Sequence, residues 1–200
     1  MVTAVSQIDT SNIVALPARV PKSEFVAGRL SLAFCNTVAL PDAADRLADA
    51  AGLVAWAGRA GFTLADTPDA AGFADILRLR EILRTIFGAL ATGFAPDQAA
   101  LDRLADMAPP VRLIWNDAAQ RAERATADRG PLARLQQSII ADAIDLVSGS
   151  DVIRIKQCPA HDCRWFFFDT SKNRKRRWCA MSDCGVKAKV SRYRGRHMTL

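Results

Sequence analysis

The chain of 200 residues lacks any long apolar run; stretches such as Trp165–Phe168 fall far short of the ~20 residues that a bilayer crossing needs. No membrane helix is expected. The opening MVTAVSQIDT carries neither the basic start nor the apolar stretch of a secretory leader, so a soluble, cytoplasmic protein is expected. Histidine is scarce: the two present, His161 and His197, lie in the last fifty residues, leaving the first 150 without an imidazole for acid–base work. A glycine-rich phosphate loop and a nucleophile elbow are also missing. A non-enzymatic role is therefore expected. What the chain does have is 50% apolar residues, enough to bury one sizeable core and too many for whole-chain disorder.

Charge is unevenly shared. Residues 1–150 hold 14 Lys+Arg against 17 Asp+Glu, and residues 151–200 hold 13 against 4. An acidic body thus carries a tail of net charge +9, the asymmetry expected of a protein with a polyanionic partner.

Four of the five cysteines fall in that same tail: Cys158, Cys163, Cys179 and Cys184, spaced C-x4-C-x15-C-x4-C. Without a leader, disulfides are disfavoured by a reducing compartment, and two matched pairs read as a tetrahedral thiolate site for one structural Zn²⁺. An iron–sulfur cluster is the weaker alternative in a segment crowded with Lys and Arg. Four thiolates fill the coordination sphere, which leaves His161 exposed or beside the site rather than on the metal. With zinc bound the tail keeps a charge of about +7. Fifty residues are too few to fold reliably on apolar burial alone, so metal binding is expected to supply the folding energy.

The remaining pattern predicts an α+β protein: a mainly α-helical body with one small β-hairpin, followed by a treble-clef-like zinc finger. Residues 1–22 form an arm without periodicity, 23–149 the body and 150–200 the finger. Leu30, Phe34 and Val38 share a helical face, and Pro41 ends that element. Asp42 or Asp45 caps the next helix, which runs to the Gly58–Gly61 break. Asp66-Thr67-Pro68 precedes a long amphipathic helix through Leu90, and Pro96-Asp97 opens a short one. VRLIW, residues 111–115, followed by Asn116-Asp117, reads as the hairpin. A last body helix spans 132–147, and Ser148-Gly149-Ser150 reads as a hinge.

In the finger, the first cysteine pair sits on a turn. An aromatic strand, 165–169, follows, then the loop TSKNRKRR, and Ser182 caps a terminal helix starting near Asp183. Two basic surfaces result: Lys172, Arg174, Lys175, Arg176 and Arg177 on the loop, and Lys187, Lys189, Arg192, Arg194 and Arg196 on the helix. Such density suits phosphate neutralisation with counterion release. Trp165, Phe167 and Trp178 are read as the miniature core of the zinc knot in preference to base-stacking platforms. In the body, Asn36, Thr37 and Arg80 are polar residues in apolar surroundings. They are candidates for holding a small anionic effector, against a purely internal hydrogen-bond network. Cys35 reads as a small core residue.

Residues 158–187, with F-x-D-x-S-K-N and RRWC-x-M-x-x-CG, resemble the CGNR zinc finger, across all four cysteines, Asp169, Ser171, Asn173, Trp178, Met181 and Gly185. The body is similar to its partner domain, ABATE, through G-x-L-x-L-x-F-x-N-T at 28–37 and LRLREILR at 77–84. The resemblance implies a bacterial stress-induced transcription regulator that binds DNA. One departure stands out: the Cys-Gly-Asn-Arg motif is here Cys184-Gly185-Val186-Lys187, which removes an amide and a bidentate guanidinium fork. The expected protein is a zinc-dependent binder of duplex DNA whose body senses a ligand or forms a homodimer. The alternative is a module that docks RNA or an acidic protein through its finger.

Overall fold

The structure, a computed structural model, describes residues 24–38, 45–110, 113–124 and 130–197. The expected arm at 1–22, the stop at Pro41 and the cap at Asp42 lie outside the described residues. Among those described, six α-helices and two two-stranded antiparallel sheets occur in the order α1 (Leu30–Cys35), α2 (Ala50–Arg59), α3 (Ala70–Ala91), α4 (Gln98–Met107), β1 (Leu113–Asn116), β2 (Arg121–Arg124), α5 (Gly130–Ser148), β3 (Ile155–Gln157), β4 (Phe166–Phe168) and α6 (Val186–His197).

Aspartate caps start three of the helices. Asp49, Asp69 and Asp97 accept from the backbone N–H groups of Gly52, Gly72 and Ala99, satisfying donors that the first helical turn leaves free. The sequence expectation of Asp45 as the α2 cap is corrected here, since Asp45 has a different partner, described below. Helix α1 has no cap of its own. Instead Asp142 of α5 accepts from Ser31 N and Oγ at 2.8 and 2.5 Å, and from Arg29 Nε at 2.7 Å, which joins α1 to α5.

Helix α3 is the axle of the body, packing against α1, α2, α4, α5 and β3. Its buried stripe of Ile76, Leu79, Leu83, Ile86 and Phe87 recurs at the spacing of one helical face. That stripe meets Leu32 and Phe34, Leu53 and Trp56, Leu104, and Leu135, Ile139 and Ile140. The β1–β2 hairpin pairs Leu113 with Arg124 and Asn116 with Arg121, yet Leu113, Ile114 and Trp115 are all exposed. The apolar run therefore signalled a strand without signalling burial.

The expected hinge at 148–150 leads into a 3₁₀ turn, Val152–Arg154, and then directly into β3. Ile155 and Phe166, from the two strands of the finger hairpin, belong to the same buried cluster as α3 and α1. The composition break thus separates two sequence units that share one core. No described helix is long and apolar enough to cross a membrane.

Candidate metal centre and nucleic-acid interface

Strand alternation builds the centre. In the run Trp165-Phe166-Phe167-Phe168, successive side chains leave opposite faces of β4. Phe166 enters the body core, with its ring 6.3 Å from that of Phe87. Phe167 turns the other way and is buried with Cys158, Cys179 and Cys184, while Cys163, Trp165 and Trp178 close around them. The expectation of aromatic core packing describes Phe167 well.

The four sulfurs of Cys158, Cys163, Cys179 and Cys184 lie within 4.8 Å of one another. Cys163 and Cys179 are 3.5 Å apart, and Cys179 and Cys184 are 3.7 Å apart. A tetrahedron with Zn–S bonds of ~2.3 Å has edges of about 3.8 Å, close to these two spacings, and the four sulfurs lie near enough to share one ion. Hydrogen bonding from Cys163 and then Cys179 holds the Cys158 thiol far below its ordinary value. Burial and the neighbouring sulfurs push Cys184 up to about 12. Such a cluster resists full ionisation by itself, and a divalent cation is what lets four thiolates coexist. The residues fit one structural zinc.

The second cysteine pair does not sit under a Ser182-capped helix as expected. Met181–Gly185 forms a π-type turn that starts from Ala180 without a side-chain cap, and α6 begins only at Val186. Gly185 sits in close contact: a Cβ there would displace the sulfur of the exposed Met181 side chain and stand 3.3 Å from Trp178 Cδ1. This close approach joins the end of the basic loop, at Trp178, to the start of α6.

The basic loop is braced from beneath by Asp169, whose side chain has no exposed area. One carboxylate oxygen accepts from Ser171 N and Oγ at 2.9 and 2.6 Å, the other from Lys156 Nζ at 2.5 Å and Arg176 N at 3.0 Å. Burial alone would raise this carboxyl; Lys156 and Ser171 outweigh it and hold the group at about 2. Lys156 also donates to the carbonyls of Arg174 and Arg176, and Arg154 to those of Asp169 and Ser171. Lys156 and Arg154 were not singled out from sequence. Only their place on and beside β3, opposite an acid twelve or more residues away, gives them this role.

The ten cations expected to face nucleic acid divide. Lys172, Arg174, Lys175 and Arg177 are exposed on the loop, and Lys187, Lys189, Arg192 and Arg194 are exposed on α6. The Arg196 side chain lies outside the described residues. Arg176 differs from its neighbours: its guanidinium donates to the carbonyls of Trp178, Phe168, Val26 and Cys179 and lies 4.7 Å from the centre of the Phe167 ring. It is a brace between loop, zinc knot and body. Lys187 pairs with Asp183 at 3.2 Å and reaches Asp162 at 3.7 Å.

Asn36, Thr37 and Arg80 also face inward. The Asn36 amide donates to Phe166 O and accepts from Phe166 N, both at 2.8 Å, acting as a one-residue partner for the free edge of β4. Removing it leaves two buried backbone groups unmatched, each costing about 1–3 kcal/mol. Thr37 Oγ1 donates to Phe34 O. Arg80 forks onto Asp45 at 2.7 and 2.6 Å and donates to Thr37 Oγ1 at 3.2 Å. These contacts describe an internal network. Its carboxylate comes from Asp45 in the 45–49 segment, with Glu81 farther off at 3.6 Å. Arg84 adds a bond to Cys35 O at 2.9 Å and lies over the Phe166 ring.

Among curated proteins none matches the chain. Residues 154–197 match the family model of the CGNR zinc finger, the segment that holds the four-sulfur cluster. Residues 28–150, more than half of the chain, match the ABATE model, described as "Putative stress-induced transcription regulator". The body and the finger stand in the order that the motifs at 28–37 and 158–187 implied, and the chain belongs to the ABATE family with a CGNR zinc finger at its C-terminal end.

Proposed function

We propose that this protein is a non-enzymatic regulator that grips duplex DNA through its zinc finger, with the helical body as the platform that holds the finger in place. The observation that carries the reading is the division among the finger's cations. Arg176, Lys156 and Arg154 are tied into the frame, and this leaves eight exposed Lys and Arg on a braced loop and an adjoining helix. A braced display of exposed cations binds a phosphate backbone at low ordering cost, with counterion release as the driving term. The body supports this by fixing β4 through Asn36 and the loop through the Arg176–Val26 bond.

The test uses the zinc-loaded full chain and a random-sequence duplex across a salt series. Each neutralised phosphate is expected to contribute about −0.9 to the log–log slope. Arg177→Ala should reduce the slope by about one contact with zinc content unchanged, whereas Arg176→Ala should loosen the finger itself. Absence of binding at low salt, or a preference for single-stranded RNA over the duplex, would sink the reading.

A further inference from the structure

The face of α6 carries more than charge. At about 100° per residue, Val186, Val190 and Tyr193 fall within an arc of about 60°. All three are exposed, at 51, 42 and 63%, and Met181 at the foot of the helix is 72% exposed. Lys187 and Arg194 flank the stripe on one side and Lys189 on the other, and residues 186–197 contain no acidic side chain. The result is a narrow apolar strip between two cationic rails.

Charge selects the occupant. A second copy of α6 would bring cationic rails against cationic rails. Interfacial membrane helices carry a broad face of Trp, Phe and Leu, whereas this strip has two valines and a tyrosine. The major groove of duplex DNA matches both parts. It is about 12 Å wide, admits one helix, is bordered by phosphates on both sides, and exposes an apolar group on its floor, the C5 methyl of thymine. At the position where the Cys-Gly-Asn-Arg motif has its amide, this chain presents the methyls of Val186.

Resting on the duplex-binding reading, we propose that α6 enters the major groove with Val186 and Val190 against thymine methyl groups, giving this protein a preference for thymine-bearing steps by apolar contact. Lys187, Lys189 and Arg194 then hold the register on the two phosphate backbones.

The experiment selects sites for the zinc-loaded full chain from random duplexes, then compares the selected duplex with one in which uracil replaces thymine and so lacks the methyl. Each contacted thymine should cost roughly three- to fourfold in affinity on replacement. Val190→Ala, a change at an exposed position, should shrink that difference by about one thymine contact, and Val186→Ala combined with it should erase the difference, with salt slope and zinc content intact. Equal binding of the thymine and uracil duplexes, or a thymine preference that survives both Val186→Ala and Val190→Ala, would overturn the inference and leave duplex binding standing. Loss of duplex binding altogether would overturn both, and binding of anionic lipid vesicles in its place would reassign the strip to a membrane surface.

Discussion

The body and the finger solve the same problem with different materials. The body buries Leu, Ile, Phe and Trp around α3, so its stability scales with apolar area removed from water. The finger has four cysteines, one buried phenylalanine and two half-buried tryptophans around a metal site, and its stability rests on a handful of directed contacts. The body is acidic and the finger carries +9. A metal centre lets a segment stay small and densely cationic, because it needs few apolar residues to fold. What the comparison teaches lies at the seam: β4 serves both regions, with Phe166 in one core and Phe167 in the other.

The largest expected effect that would break this comparison is metal removal. Structural zinc sites of this kind are worth about 10–16 kcal/mol. Chelation should unfold the finger while most far-UV helical signal survives in the body. Because Ile155 and Phe166 belong to the body core, amide exchange should also rise in α1 and α3 where they face β3 and β4. Unchanged exchange there would show that the two regions do not depend on a common strand.

Neighbouring residues sharpen it next. Phe166→Ala should cost about 3–5 kcal/mol in the body's thermal or denaturant transition, with one zinc still bound. Phe167→Ala removes the same atoms from the opposite face, and its loss should appear as easier zinc transfer to a competing chelator. If both variants gave the same pattern, the division of β4 between two cores would be wrong.

The smallest effect is in acid. Asp169 is held at about 2 in the folded protein, against ~3.9 in an unfolded chain. A depressed carboxylate stabilises the fold fully above the unfolded value, and the contribution is lost as pH falls from about 4 through 2. The stability difference between the protein and Asp169→Asn should therefore be steady near neutrality and shrink across that acid window. A difference independent of pH would exclude an ionised Asp169 as the brace of the loop.

Legibility in the sequence followed the range of the physics. Helix α4 begins where Pro96-Asp97 placed it, and Leu113–Asn116 forms the first strand of the expected hairpin, because turn and cap signals act over a few residues. The metal ligands were legible for the same reason, their spacing being the signal. Asp45 misled because an aspartate ahead of a helix looks like a cap whether it bonds to the helix or, as here, to Arg80 thirty-five residues away. Arg176 was indistinguishable from Arg177 in a run of like charges, and only the carbonyls folded around it set the two apart.

By itself the sequence determined the class of the molecule: helical body, single hairpin, four-thiolate finger and concentrated positive charge. These follow from periodicity, spacing and composition, which are local properties of the chain. Only the tertiary structure decided that the hairpin of the finger is shared with the body and that Asn36 closes the edge of β4. It alone separated bracing cations from displayed ones and left Val186 and Val190 uncovered. Each of those depends on which distant backbone or side chain a group meets, and a buried polar group takes whichever partner the packed chain brings within reach.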